Sequence, residues 1–205
     1  MAGIVLNAFE AGLKKYLSAE QIVKIQRTTI GIAGAGGLGS NCASMLVRSG
    51  FKKITIVDMD EIEASNLNRQ NYFLEQVGTA KVEALAEILY KINPDLELNI
   101  INKKVDEANI NELFHDCSIL IEAFDKTEYK TLFAETFVGK KEFVVAVSGL
   151  AGFGNSDRIK THKIRNDFYI VGDLKSGIDS LPPLATGVTI AAAKQVDLVL
   201  EHVIG

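Results

Sequence analysis

The feature that most constrains the fold is an apolar segment that runs directly into a group of glycines. Residues 29–33 read Thr-Ile-Gly-Ile-Ala, and residues 34–40 read Gly-Ala-Gly-Gly-Leu-Gly-Ser. A β-branched, apolar run that ends on glycines and opens into a helical pattern is typical of a strand, a tight turn and the start of a helix. The sequence therefore predicts the first strand–turn–helix unit of an α/β fold.

The glycines of this turn have separate predicted roles. Gly34 lets the strand turn tightly, Gly36 lets the backbone approach a phosphate without a Cβ in the way, and Gly39 lets the helix pack close to the sheet. The unpaired N–H groups and the dipole of the helix favour an anion at the turn. The same pattern is also compatible with a glycine-rich turn that only allows close packing.

Strand and helix patterns alternate along the rest of the chain. We predict strands at residues 53–58, 96–101, 118–124 and 143–147, and helices that end at Gly50, that run from residue 79 to before Pro94, and that span residues 105–115 and 128–138. Residues 158–163 and 167–171 predict an antiparallel hairpin, and residues 186–203 predict a final helix. The fold class is therefore α/β, a Rossmann-like, doubly wound, mostly parallel sheet with an antiparallel C-terminal hairpin extension and N-terminal helices.

The 205 residues predict one nucleotide-binding domain with three parts. Residues 1–27 form a helical arm, residues 28–150 the core, and residues 151–205 the hairpin and the final helix. Helical patterning in the arm begins at residue 3, and Ser18 with Gln21 has the pattern of a capping box. The arm lies outside the strand–helix repeat, so it is either a lid on the open edge or a dimer arm.

Composition and charge exclude several classes of protein. The net charge is −4, and neither Lys nor Arg forms a basic run, which argues against a nucleic-acid partner. The N-terminus lacks the basic region of a secretory signal, and Lys194 and Asp197 interrupt the most apolar stretch, which argues against a membrane span. Cys42 and Cys117 are the only cysteines. We therefore expect a cytoplasmic protein without a disulfide framework.

Charged side chains follow the predicted strands at their carboxyl ends. Asp58 ends the second strand, where a carboxylate can reach a ribose hydroxyl, and Asp125 follows the fourth. Arg69 lies in a long polar loop, and Lys81 lies in the first turn of a helix, where a cation is unfavourable unless an anion is near. Two cations beside a helix N-terminus imply several phosphates, and a further carboxylate implies a metal. This set fits a nucleoside triphosphate with Mg²⁺ better than a dinucleotide.

These segments closely resemble the ThiF/MoeB/HesA family of ubiquitin-activating-enzyme-like adenylyltransferases. The resemblance covers roughly residues 28–150 and is carried by Gly34–Gly39, Val57–Asp60, Ser65–Gln70, Lys81 and Asp125. Within the family, the short, divergent ThiF-like proteins of thiamine biosynthesis look most similar, in size and in the stretch Ser148–Gly154.

The resemblance implies an enzyme that uses ATP and Mg²⁺ to activate the C-terminal Gly-Gly carboxylate of a ubiquitin-fold, ThiS-type sulfur carrier protein as an acyl-adenylate, for the thiazole of thiamine. It also implies a homodimer. The implied nucleotide contacts are Gly34, Gly36, Gly37, Gly39, Asp58, Asp60, Ser65, Asn66, Leu67, Asn68, Arg69, Lys81, Asp125 and Lys126. Arg69, Lys81 and Asp125 would be catalytic, and Asp125 would hold Mg²⁺.

The chain also departs from the family pattern. No Cys-x-x-Cys pair is present, so we expect no zinc, and no cysteine follows Cys117, so the reaction should stop at the adenylate. The family's N-terminal arginine motif is not recognisable. Three alternatives stay open: an NAD(P)-dependent oxidoreductase, a nucleotide sensor without turnover, and adenylation of another carboxylate, such as one on a tRNA base. A structural role is also possible for each of the four charged residues, in a turn or an ion pair: Asp58, Arg69, Lys81 and Asp125.

Overall fold

The first strand lies in the interior of a sheet whose core strands are all parallel. We describe residues 7–177 and 181–205 from a computed structural model. The strands are β1 (Thr29–Ala33), β2 (Lys53–Asp58), β3 (Glu97–Asn102), β4 (Ile119–Glu122), β5 (Phe143–Val147), β6 (Lys160–Lys163) and β7 (Phe168–Gly172). They form one sheet in the order β3-β2-β1-β4-β5-β7-β6, and only β6 is antiparallel to its neighbour. The predicted mostly parallel sheet with a C-terminal hairpin is confirmed.

Helices cover both faces of the sheet, as a doubly wound fold requires. They are α1 (Ala8–Leu13), α2 (Ala19–Arg27), α3 (Gly37–Arg48), α4 (Lys81–Ile92), α5 (Ile110–Leu113), α6 (Thr127–Phe137) and α7 (Ala185–Ile204). One apolar core lies between the sheet and α3, α4 and α7, and a second lies under α5 and α6. The second core is built around edge-to-face contacts of Phe114, Phe133 and Phe137. No helix in the described residues is long and apolar enough to cross a membrane.

The turn between β1 and α3 depends on two glycines. Gly34 has a φ of +106°, and a Cβ there would lie 2.7 Å from the Ala123 carbonyl oxygen in the neighbouring strand end. A Cβ on Gly39 would lie only 1.8 Å from the Gly34 carbonyl oxygen. The first turn of α3 therefore packs directly on the backbone of the turn, and its N-cap, Gly36, provides no side-chain cap for the N–H groups.

The N-terminal helices pack at the end of the sheet opposite the strand carboxyl ends. Glu10 of α1 is fully buried and forms an ion pair with Lys52, just before β2, in which Nζ of Lys52 lies 2.7 Å from Oε1 of Glu10. The capping box of Ser18 and Gln21 at the start of α2 is present as predicted. Residues 1–6 of the predicted arm, including residues 3–6 of its helical pattern, lie outside the described residues.

Two predicted elements differ from the observed ones. The helix expected over residues 105–115 is wrong in length, because only Ile110–Leu113 is helical. The Asn109 amide instead bonds the Asp106 N–H and the Lys104 carbonyl, and these bonds favour turns over a helix. The long polar loop after β2, for which the sequence predicts no helix, contains short 3₁₀ helices at Ala64–Asn68 and Leu74–Gln76.

One partly buried ion pair holds the loops that follow β5 and β7. Arg158 pairs with Asp173 and donates to the carbonyl of Ala151 at 2.6 Å. The Asp173 carboxylate also accepts the backbone N–H groups of Lys175, at 2.9 Å, and Ser176, at 2.7 Å. These contacts bring the two loops together at the carboxyl edge of the sheet.

The close contact of α3 with the glycine turn predicts the effect of a single methyl group. Gly39→Ala should lower the free energy of unfolding by about 1–3 kcal/mol or more, since helix and turn must separate to admit it. Gly12→Ala is the matched control, because no atom lies within 4 Å of its Cβ position; its stability should be unchanged or higher by up to about 1 kcal/mol. Urea unfolding measures both, and equal losses would contradict the packing described here.

The loop ion pair predicts acid sensitivity. Partial burial raises the pKa of Asp173, but the N–H groups of Ser176 and Lys175, the Ser176 hydroxyl and Arg158 hold it at about 2, against 3.8 in the unfolded chain. The ionised carboxylate thus stabilises the folded state fully above about pH 4, and this contribution is lost as the pH falls toward 2. Asp173→Asn should lower the urea midpoint at pH 7 and flatten its decline between pH 4 and 2. Asp157→Asn, at an exposed carboxylate nearby, should keep the wild-type profile; a steep acid decline in Asp173→Asn would refute the prediction.

Candidate functional site

A cleft opens at the carboxyl ends of β1 and β4, where the strand order reverses. The chain leaves β1 toward β2 on one side and returns as β4 on the other, and this switch point is where open α/β sheets bind ligands. The cleft has a volume of about 960 Å³. Predicted site residues that line it are Gly34, Gly36, Gly37, Asp58, Asp60, Arg69, Lys81, Asp125 and Lys126.

Asp58 is bonded to the glycine turn and faces the cleft. Its Oδ2 accepts the Ala35 N–H at 2.6 Å, and its Oδ1 accepts the Asp60 N–H at 2.8 Å. Burial raises the pKa of Asp58, while the two N–H bonds and the Lys81 charge oppose the shift. Since a carboxylate oxygen accepts more than one hydrogen bond, Asp58 can hold the turn and still accept a ligand hydroxyl.

Lys81 has the neighbouring anion that its position at a helix N-terminus requires. Its Nζ lies 2.7 Å from Oδ2 of Asp60, and its backbone N–H donates to the Asp60 carbonyl at 2.9 Å. Lys81 is buried, whereas the side chain of Asp60 is 53% exposed. An ammonium group has three donors, so Lys81 can bind a second anion in the cleft.

Arg69 lies against the glycine turn. A Cβ on Gly37 would lie 3.5 Å from its Cγ, and its guanidinium donates to Oδ1 of Asn68 at 2.8 Å. The amide of Asn41, in α3, donates to the Arg69 carbonyl at 3.1 Å. The aliphatic stem of Arg69 therefore lies beside the uncapped N-terminus of α3, while its guanidinium is held by Asn68 and by the Ser65 carbonyl, at 3.3 Å.

Five predicted site residues lie outside the cleft lining: Gly39, Ser65, Asn66, Leu67 and Asn68. Asn66 is buried, and its Oδ1 accepts the Glu63 N–H at 3.1 Å. Leu67 packs against the main core. In the structure these side chains shape the loop that presents Arg69, and their direct contact with a nucleotide stays a prediction.

The loop is tied to the glycine turn at several further points. Ser40 accepts the Asn71 N–H at 3.0 Å, and the Tyr72 hydroxyl donates to the Ala35 carbonyl at 2.7 Å. Burial, and then the charge of Asp58, raises the pKa of Tyr72, which keeps the hydroxyl protonated as a donor. Turn and loop therefore form one connected wall of the cleft.

Asp125 and Lys126 lie exposed in the turn between β4 and α6, on the other side of the switch point. Among the described residues, no three His, Cys, Asp or Glu side chains group as a complete metal site. Mg²⁺ commonly binds through one or two carboxylates and completes its shell with phosphate oxygens and water. Asp125 therefore fits a Mg²⁺ ion that is held mainly by a bound nucleotide.

The structure adds residues that the sequence analysis did not assign to the site. Lys103 and Lys104 line the cleft after β3, Lys130 lines it from α6, and the segment Ser148–Ala151 forms its far wall. Gln70 also lines it, and its buried Oε1 has no hydrogen-bond partner among the described residues. The available signals were the position of Gln70 directly after the string Ser65–Arg69 and the strand-end positions of Lys103, Lys104 and Ser148–Ala151. Lys130 lies within α6 and gave no such signal.

The charge of the cleft is opposite to that of the whole chain. Its lining contains the cations Arg69, Lys81, Lys103, Lys104, Lys126 and Lys130 and the carboxylates of Asp58, Asp60, Asp125 and Glu128. The cleft is therefore net positive in a chain of net charge −4. A positive cleft in an acidic protein favours a polyanionic ligand.

Comparison with known proteins gives related sequences and folds. The chain is 36% identical over 104 residues to ubiquitin-like modifier-activating enzyme 5 of Xenopus laevis, which covers 51% of this chain and 26% of the relative. It is 28% identical over 143 residues to tRNA threonylcarbamoyladenosine dehydratase of Haemophilus influenzae, covering 69% and 55%. The chain thus spans about a quarter of the length of the first of these relatives.

Solved structures share the whole fold. The E. coli tRNA N6-threonylcarbamoyladenosine dehydratase TcdA, in complex with AMP, superposes with a TM-score of 0.85 at 20% identity and covers 98% of both chains. E. coli MccB, with AMPCPP and MccA, superposes with a TM-score of 0.71 at 22% identity and covers 89% of this chain and 58% of its own. The ThiF family model matches residues 10–167, which is most of the sequence and includes the glycine turn and both sides of the cleft. The chain therefore belongs to the ThiF family.

Proposed function

We propose that the chain is an ATP-dependent adenylyltransferase that activates a carboxylate as an acyl-adenylate. The observation that carries the proposal is the net positive cleft, which joins an uncapped helix N-terminus, Arg69 and Lys81 on one side to the carboxylate of Asp125 on the other. An NAD(P)-dependent oxidoreductase would need the glycine turn and Asp58 but gives no role to Arg69 and Lys81.

In the proposed reaction, a substrate carboxylate attacks the α-phosphate of ATP, and pyrophosphate leaves. The glycine turn binds phosphate oxygens through N–H groups, and Asp58 accepts a ribose hydroxyl. Arg69 and Lys81 neutralise the negative charge that develops on the α-phosphate and on the leaving pyrophosphate. Asp125 would hold Mg²⁺, which supplies further charge neutralisation when bound. No side-chain nucleophile is needed, because positioning and electrostatic stabilisation account for such a reaction.

The substrate that we propose first is the C-terminal Gly-Gly carboxylate of a ubiquitin-fold, ThiS-type sulfur carrier of thiamine biosynthesis. Support comes from the family resemblance and from relatives named as ubiquitin-like modifier-activating enzymes. The segment Ser148–Ala151 forms the far wall of the cleft, along which an extended tail can lie. The homodimer implied by the resemblance is part of the same proposal.

A second candidate substrate is a carboxylate on a modified tRNA base. It is favoured by the fold likeness to TcdA, which extends over nearly the full length of both chains. Against it stand the net charge of −4 and the absence of a basic run in the sequence. Both candidates require the same adenylation step. The same pyrophosphate-exchange assay, run separately with each substrate, therefore distinguishes them.

The first test is Mg²⁺-dependent exchange of pyrophosphate into ATP, with a carrier that ends in Gly-Gly or with the modified tRNA. Arg69→Ala and Asp125→Ala should each reduce the exchange rate by roughly 10²-fold or more, as expected when a group that stabilises transition-state charge is removed.

Each variant has a matched control in the chain. Arg165→Ala removes an exposed arginine from the hairpin turn, and Asp116→Ala removes an exposed carboxylate at the opposite end of β4. Both controls should keep wild-type exchange. If the wild-type protein binds ATP but exchanges no pyrophosphate with either substrate, adenylation of these substrates is excluded and a nucleotide sensor is favoured.

The buried side chain of Lys81 predicts a separation of catalysis from binding. Lys81→Met keeps the aliphatic stem but removes the charge, so kcat should fall by about 10²- to 10³-fold. The Kd for ATP should change much less, because the glycine turn and Asp58 are retained. Single-turnover kinetics and calorimetric titration measure the two quantities, and a loss confined to ATP affinity would contradict this role.

A further inference from the structure

Glu122 is the one carboxylate in β4, which is otherwise apolar, fully buried and the middle strand of the sheet. It is the last residue of β4 and is 1% exposed. Both of its carboxylate oxygens lie 2.9 Å from Nζ of Lys130, on α6. Neither residue belongs to the catalytic set proposed above.

The pair bridges the point where β4 and β5 separate. Parallel pairing of the two strands ends at Ile121 and Val145. Beyond it, Nζ of Lys130 donates to the Val147 carbonyl at 3.1 Å, and the Val147 N–H donates to Oε2 of Glu122 at 3.4 Å. The buried amide of Gln195 also donates to the Glu122 carbonyl, at 3.0 Å, and to the Val145 carbonyl, at 3.4 Å. The ion pair and this amide together replace the missing ladder bonds at the floor of the cleft.

The same pair reaches the segments on both sides of that floor. The Phe124 N–H donates to Oε1 of Glu122 at 2.7 Å, and Phe124 immediately precedes Asp125. Val147 immediately precedes the far wall, Ser148–Ala151. A buried ion pair is weak evidence for stability, because well-packed apolar side chains of similar volume stabilise a core equally well. Its bonds fix backbone groups that apolar side chains would leave free.

We infer that Glu122 and Lys130 are positioning residues that hold the Asp125 turn and the Ser148–Ala151 wall in register with each other. This inference rests on the proposed function, in which Asp125 holds Mg²⁺ and the wall lies beside the second substrate. The pair thereby sets the spacing between the metal carboxylate and the carboxylate that is to be activated.

The first measurement needs no ligand. Hydrogen exchange is followed in peptides that cover residues 123–127 and 147–151. In Lys130→Met, both segments should exchange roughly tenfold faster, as expected when charged hydrogen bonds that close a local opening are lost. Lys130→Arg, which can bond both partners, should restore protection. Lys140→Met, an exposed lysine after α6, is the matched control and should match the wild type.

Lys130→Met leaves Glu122 buried without its partner, so the double variant Glu122→Gln/Lys130→Met is made in parallel. It has no unpaired charge and keeps an oxygen for the Phe124 N–H, yet the bond from Lys130 to Val147 is lost. It should show faster exchange at residues 147–151. Unchanged exchange there, or equally faster exchange in every strand, would overturn the inference in favour of a purely structural pair.

The second measurement is the affinity for ATP with and without Mg²⁺. Lys130→Met should lose the gain in affinity that Mg²⁺ gives the wild type and should keep the Mg²⁺-free affinity within about twofold, because the glycine turn is intact. If Mg²⁺ raises the ATP affinity of Lys130→Met as much as it raises that of the wild type, the inference is overturned. If the wild type does not bind ATP, the proposed function fails, and hydrogen exchange alone decides whether the pair positions both segments.

Discussion

The cleft depends on one contact, that of the first turn of α3 with the backbone of the Gly34 turn. No side chain separates the two, since a Cβ on Gly39 would overlap the Gly34 carbonyl oxygen. This contact places the free N–H groups of the helix at the carboxyl end of β1. The neighbouring groups are arranged around it: Asp58 bonds the N–H of Ala35, and Arg69 lies over Gly37.

Electrostatics within the cleft are arranged before any ligand binds. Lys81 is paired with Asp60, and Asp58 accepts two backbone N–H groups, so neither buried charge lacks a partner. Such pairing lowers the cost of keeping charges out of water. The positive excess then comes from less buried groups, among them Lys126, which can attract a polyanion from solution.

Secondary structure was predicted correctly from the sequence where the local pattern is strong. The β1–α3 unit, the strand-end positions of Asp58 and Asp125 and the hairpin after residue 158 follow from apolar periodicity and glycine positions. The prediction of a helix over residues 105–115 was wrong, because the side chains of Asn109 and Asp106 form hydrogen bonds with the backbone in turns. A side chain that competes for backbone bonds is not visible in hydrophobic periodicity.

The sequence by itself determined the fold class, the ThiF family and the edge of the sheet at which Asp58 and Asp125 lie, because the alternation of strands and helices brings all parallel strand ends together. Tertiary structure alone decided which side chains meet there. It paired Lys81 with Asp60 and Glu122 with Lys130, and it kept Asn66 out of the cleft lining. These contacts depend on where separate segments cross in space, which one sequence read residue by residue does not specify.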